Sequence, residues 1–166
     1  GDYLFATVGT GIVVIDIENP ASAALLGGLT TNGLSKGLEV HGDFAFVACS
    51  NAGLKIIDIS NPSSPILVDT IYTAGSAYGV DIDEGYAYVT DYASGVQIVD
   101  ITDPYSADII ENVSITGNAQ GITVCGDYAY VSAYDTTTNY GLQIIDRSNI
   151  ATTAVVGEVA TPYSAA

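Results

Sequence analysis

The chain has 166 residues, enough for one domain core and too few for two ordinary domains. Hydrophobic residues make up 48%, which excludes a disordered acidic polymer, and no run of 18 apolar residues exists to form a helical membrane span. Nineteen acidic residues stand against three basic ones, Lys36, Lys55 and Arg147, and the net charge of −16 repels phosphate backbones and anionic headgroups while favouring cations and basic partners.

Short β-branched and aromatic runs, punctuated by Gly, Asn, Asp and Pro, predict strands from the first residues onward. Three are expected at 3–8, 12–17 and 24–29. Four follow at 37–40, 44–49, 54–59 and 66–71, and four more at 79–82, 86–91, 96–101 and 108–113. The last four are expected at 121–124, 128–133, 142–147 and 154–159. No 3.6-residue periodicity runs long enough for a helix. Tight turns join the first two strands of a group, at His41-Gly42-Asp43, Asp83-Glu84-Gly85 and Cys125-Gly126-Asp127. Asn19-Pro20, Asn61-Pro62 and Asp103-Pro104 break the third strand before the fourth begins.

These groups are one block written four times. GIVVIDIENP (11–20) returns as GLKIIDISNP (53–62), GVQIVDITDP (95–104) and GLQIIDRSNI (141–150). Gly11, Gly53 and Gly95 are 42 residues apart, and Gly141 follows 46 later because the fourth repeat carries an insertion. Repeats of this length with four short strands read as propeller blades. The expected fold is all-β: a propeller or propeller arc of four blades of antiparallel strands, with the innermost strand of the first blade missing. It forms one domain over 1–166, with repeats at about 1–36, 37–78, 79–120 and 121–166.

The string G-[LV]-[KQ]-I-[IV]-D-I-[ST]-[ND]-P, preceded by G-D-[YF]-A-[YF]-V, resembles the LVIVD-repeat family over essentially the whole chain. The resemblance implies a β-propeller and a secreted or surface-anchored setting, and it supplies no shared catalytic residues. Repeat four departs from the pattern, with Arg147 in place of an apolar residue and Ile150 in place of proline.

The repeat phase leaves three readings of the ends open. The chain is a piece of a longer one with more blades, or subunits assemble edge to edge into a ring or filament, or four blades close an incomplete ring. An open arc has apolar end surfaces that stick to other chains.

Several residues are candidates for chemistry. Asp16, Asp58, Asp100 and Asp146 recur at one point of each third strand and are expected to accept amide hydrogen bonds from the following turn. One carboxylate per blade does not converge as calcium requires, so no metal or other cofactor is expected. His41, Asp83 and Cys125 are equivalent turn residues near the axis, too far apart for one metal site. Cys49 and Cys125 occupy non-equivalent positions and are expected to be free thiols. Strand alternation gathers acidic turns on one face and tyrosines on the other: Tyr72, Tyr78, Tyr92, Tyr134, Tyr140 and Tyr163. The insertion Asp135–Asn139 enlarges the tyrosine face. Tyrosine suits interfaces and sugar-facing surfaces. Asn112-Val113-Ser114 is a glycosylation sequon.

No nucleophile–base pair and no G-x-S-x-G elbow is visible. The sequence therefore predicts a non-catalytic extracellular or cell-surface structural protein, self-assembling through its blade ends into a multimer or filament. The alternative is a module that binds glycan or peptide on the tyrosine face; an enzyme is the third reading.

Overall fold

The computed structural model describes residues 1–135 and 139–161, leaving aside the side chains of residues 135, 139 and 140. Fifteen strands are present among them, in four antiparallel sheets taken in chain order. The first sheet has three strands: β1 (Tyr3–Val8), β2 (Gly11–Asp16) and β3 (Ala24–Thr30). The second comprises β4 (Gly37–His41), β5 (Phe44–Ala48), β6 (Leu54–Asp58) and β7 (Ile66–Ile71). The third comprises β8 (Val80–Asp83), β9 (Tyr86–Thr90), β10 (Val96–Asp100) and β11 (Asp108–Val113). The fourth comprises β12 (Asn118–Cys125), β13 (Tyr128–Asp135), β14 (Asn139–Asp146) and β15 (Ala154–Ala160). Each sheet is a blade whose strands pair in sequence order. No α-helix occurs among the described residues; two 3-10 turns, Pro20–Ser22 and Ile150–Thr152, lead into β3 and β15.

The third strand of each repeat stops at its aspartate, one residue earlier than its hydrophobic run suggests. The reason is local: the Asp side chain takes the amide two residues on and turns the chain out of the ladder. One residue earlier, every blade carries a register shift against its outermost strand, at Val14/Ile15, Ile56/Ile57, Ile98/Val99 and Ile144/Ile145. A bulge at the same place in each repeat adds the same extra twist to each blade. In the fourth repeat the insertion lengthens the β13–β14 hairpin, which pairs out to Asp135↔Asn139. Thr136, Thr137 and Thr138 lie outside the described residues.

The core lies between blades. One apolar cluster joins blades one and two through Ile12, Ala45, Val47, Ile57 and Ile59. A second joins blades two and three through Phe46, Leu54, Ile56, Val80, Val89 and Val99. A third joins blades three and four through Tyr88, Val96, Ile98, Val131 and Ile145. The segments Leu54–Ile57 of β6 and Val96–Val99 of β10 are buried on both faces because each middle strand is sandwiched by neighbouring blades. Among the described residues no cluster joins blade four back to blade one, so the blades form an arc.

Candidate functional site

The four repeated aspartates are turn carboxylates. Asp16, Asp58, Asp100 and Asp146 each accept the amide of the residue two positions on, at 2.9 Å in every repeat. The amides and hydroxyls of Ser60, Thr102 and Ser148 hold the carboxyls of Asp58, Asp100 and Asp146 below the usual range. A second set repeats the device three residues later: Asn19, Asn61, Asp103 and Asn149 accept from Ala21, Ser63, Tyr105 and Ala151. Each carboxylate serves its own turn, Asp58 accepts the Tyr105 hydroxyl of the next blade at 3.2 Å as well, and none shares a point with another. Among the described residues no three of His, Cys, Asp or Glu are grouped to hold a metal ion.

At the axis, His41, Asp83 and Cys125 end the inner strands β4, β8 and β12. They have separate surroundings. His41 and Cys125 are exposed, and Asp83 is drawn into a contact between blades. That contact centres on Arg147, a residue the sequence marks as a departure from the repeat but gives no role. Its side chain is buried and reaches from blade four into blade three. Nε donates to the Tyr88 hydroxyl at 2.7 Å, one terminal nitrogen donates to Gly126 O at 2.6 Å and to Asp83, and the other to Glu84 at 3.2 Å. The guanidinium carbon lies 5.2 Å from the Tyr88 ring centre. Between blades two and three the same place holds Ile101, and a groove of about 320 Å³ remains there, lined by His41, Asp43, Phe44 and Phe46. The signal that could have found the latch is the appearance of a scarce cation where three repeats carry isoleucine.

A second missed position is also repeated. Lys55, Gln97 and Gln143 are buried polar residues at one point of the third strand, the [KQ] of the motif. Gln143 clasps the linker of blade three, accepting from Thr116 N at 3.1 Å and donating to Thr116 O at 2.6 Å. Gln97 donates to Ser94 O at 3.3 Å and stands 3.5 Å from Asp91, which is fully buried. Burial pushes the Asp91 carboxyl up against the pull of the Gly75 amide, which donates to Oδ2 at 2.8 Å, while Asp91 Oδ1 and Thr73 Oγ1 have no well-formed hydrogen bond. Lys55 donates to Thr70 at 3.2 Å, and burial pulls its ammonium pKa down.

The tyrosine face is only partly assembled. Tyr92, with φ 50° in the left-handed region, bridges to Ala119 of β12 in the next blade. Its ring stacks on Tyr78 with centroids 5.4 Å apart, and Lys36 Nζ lies 5.3 Å from the Tyr78 centroid. The Tyr78 ring is thus engaged by the protein's own groups. Tyr72 stands apart, 76% exposed, with Lys55 Nζ 5.4 Å from its ring centre. Tyr134 is half-buried on β13, opposite Tyr140 in register. The Tyr140 side chain and Tyr163 lie outside the described residues. Asn112 is exposed on β11, where its amide nitrogen donates to Ser94 O at 2.8 Å. Cys49 is a buried free thiol and Cys125 an exposed one.

Apolar side chains are exposed at both ends of the arc. On blade one, Leu4, Ala6 and Val8 point away from blade two, in register with Ile15, Val13 and Gly11. Their counterparts in blade two, Ala45, Val47 and Cys49, are fully buried against blade one. Leu4 is 48% exposed and Val8 58%. On blade four, Val159 is 51% exposed, whereas its counterparts Ile71 and Val113 are buried at 8% and 5%. Leu142 and Ile144 stand beside it, half-buried, on β14. The two ends thus carry opposite halves of the contact that recurs inside the arc.

Four sequential antiparallel blades around one axis, with the core between them, define a propeller-type repeat protein. The chain belongs to the LVIVD-repeat family, whose repeat matches residues 1–31, 32–73, 74–114 and 116–161. Comparison with curated proteins gives no match. Among solved structures, the chain resembles a functionally unknown protein from Desulfotomaculum acetoxidans, with TM-score 0.77 and 15% identity over 95% of this chain and 52% of that one. It also resembles the computationally designed Ika8 protein, with TM-score 0.64 and 10% identity over 93% and 48%. A third likeness is to glutaminyl cyclase from Myxococcus xanthus, with TM-score 0.60 and 17% identity over 94% and 65%. The chain spans about half the length of the first two. At these identities the likeness shows the fold.

Proposed function

We propose that this chain is a non-catalytic structural or interaction protein of a cell-surface or extracellular setting, and that it associates with copies of itself through the outer faces of its first and fourth blades. The observation that carries this reading is the exposure of Leu4, Val8 and Val159 at positions that are buried between blades elsewhere in the repeat. An apolar face of this kind marks an interaction site, and the interior contacts supply the pattern for what covers it. The surface setting draws support from the composition, with three basic residues in 166, and from the exposed sequon at Asn112. The non-catalytic reading draws support from the engagement of the repeated aspartates in their own turns and of Arg147 in a contact between blades.

Light scattering on the purified chain tests the association. The expected mass exceeds the 17.1 kDa of one chain. Leu4→Asp and Val159→Asp, each placing a charge on one end face, are expected to return it to a monomer with an unchanged strand signature in circular dichroism. A wild-type monomer at high concentration would overturn the reading. Tyr72, exposed beside Lys55, favours a second reading in which the loop face takes a glycan; loss of glycan-array binding in Tyr72→Ala is its test.

A further inference from the structure

We propose that the groove between blades two and three is a recognition site for an arginine side chain presented by a basic polypeptide partner. The neighbouring junction supplies the template. Between blades three and four, the Arg147 guanidinium sits beside Tyr88 and is held by Asp83 and Glu84 of the preceding blade. One blade earlier, the residues at those three places are Phe46, His41 and Gly42, and all three line the groove of about 320 Å³. Ile101 stands where Arg147 stands and does not fill it. The groove is therefore the counterpart of the Arg147 site, with an isoleucine in place of the guanidinium.

The rim carries what a cation needs. His41 replaces the carboxylate of Asp83, but Asp43, two residues on in the same turn, lines the groove and is exposed. Asp103 follows Thr102 and precedes Pro104, both of which line the other wall. Beside them stands Tyr105, 61% exposed. Its hydroxyl donates to Asp58 at 3.2 Å, and its ring meets Phe44 of the groove edge-on, with centroids 5.6 Å apart. The ring is thus held in place while one side stays open to solvent. The other repeats have Ala21, Ser63 and Ala151 at this position, so the repeat itself does not require an aromatic there. A planar guanidinium stacks on such a ring while its nitrogens donate to carboxylates, a combination that an ammonium matches less well.

The charge of the chain points the same way. Its net charge is −16, and its three basic residues are spent elsewhere. Arg147 is in its own junction, and Lys36 and Lys55 lie over Tyr78 and Tyr72 on the tyrosine face. A cation for this groove has to come from a partner, and the surrounding potential attracts one.

A nuclear magnetic resonance titration of the isotope-labelled chain with a capped Gly-Gly-Arg-Gly-Gly peptide decides it. Saturable one-to-one shifts are expected at the amides of Asp43, Phe44, Gly85 and Thr102, with binding that weakens as salt is raised. The same peptide with citrulline, which keeps the stem and the planar head but loses the charge, is expected to bind about tenfold more weakly. Tyr105→Ala and Asp43→Asn, both at exposed positions, are each expected to weaken the arginine peptide about threefold. His41→Asp, which restores the carboxylate of the Arg147 site, is expected to tighten it. Ile101→Arg fills the groove from within and is expected to abolish binding with an unchanged strand signature in circular dichroism; if that variant does not fold, the two exposed substitutions carry the decision. No shifts at millimolar peptide, shifts on another surface, or undiminished binding in both Tyr105→Ala and Asp43→Asn would overturn the proposal. Equal binding of the citrulline peptide would overturn it too, by making the groove an apolar pocket. None of these residues belongs to the end faces, so a monomeric chain in light scattering leaves this proposal standing, and loss of peptide binding leaves self-association standing.

Discussion

Arg147 is the clearest case of a single residue that ties two blades together. It occupies the place of Ile59 and Ile101 but spends its guanidinium on Tyr88, Asp83, Glu84 and the Gly126 carbonyl. Asp83 and Glu84 are partly exposed and can return to water, so the ion pairs themselves contribute modestly. The lost packing and the stranded Tyr88 hydroxyl weigh more. Arg147→Ala is expected to cost about 2 kcal/mol in urea unfolding. Asp91 sets up the opposite effect. Burial raises its folded pKa, so the unfolded chain, with an ordinary aspartate near 3.9, releases its proton first. Folding is then disfavoured progressively as pH rises from about 4. Asp91→Asn is expected to raise the melting temperature at pH 7, with the gain shrinking towards pH 4. The turn aspartates Asp58, Asp100 and Asp146 act with the other sign: their lowered pKa values stabilise the fold above the ordinary aspartate range, and that contribution fades as pH falls through the folded values. A melting temperature that does not differ between Asp91→Asn and wild type across this range would refute the Asp91 account.

At the scale of the element, the glycine that opens the third strand has a steric reason. Gly53 and Gly95 have φ of 73° and 80°, and a Cβ on either would run into the carbonyl oxygen of Ile71 or Val113 on the neighbouring strand. Both the conformation and the close approach demand glycine. Gly95→Ala is expected to destabilise by about 3 kcal/mol, read from the denaturant midpoint, whereas Gly42→Ala, where φ is 59° but the space is open, should cost about 1 kcal/mol. The repeat made these strands legible in the sequence: the apolar runs and the glycine return in each block, and the strands lie where they fall. The [KQ] position inside the third strand is equally visible in the sequence, but what its side chain meets is not. Only the fold shows that Gln143 reaches the Thr116 backbone of the preceding blade.

For the whole molecule, apolar end faces and net charge act against each other. Burying apolar surface gives roughly 25 cal/mol per Å², and a stable interface covers about 800 Å² on each partner. Against it stand sixteen net negative charges on each copy. Their repulsion reaches across about 10 Å at 0.1 M salt and about 3 Å at 1 M. Association is therefore expected to tighten as ionic strength rises, in contrast to an assembly held by ion pairs. Sedimentation at 0.05 M and 0.5 M salt checks this, and a weaker complex at the higher salt would refute it.

Through its four-fold repeat, the sequence by itself determined the strand count and order, the antiparallel blades, the turn aspartates and the family. These are local matters: a strand, a turn or a bulge is written within a few residues, and repetition makes each one legible four times. Tertiary structure alone decided which residues meet across blades. Arg147 finds Tyr88 across 59 positions, and Asp81 takes the Val124 amide across 43. The same holds for the end faces. Leu4 and Ala45, or Val159 and Val113, are alike in sequence pattern, and only the presence or absence of a neighbouring blade makes one exposed and the other buried.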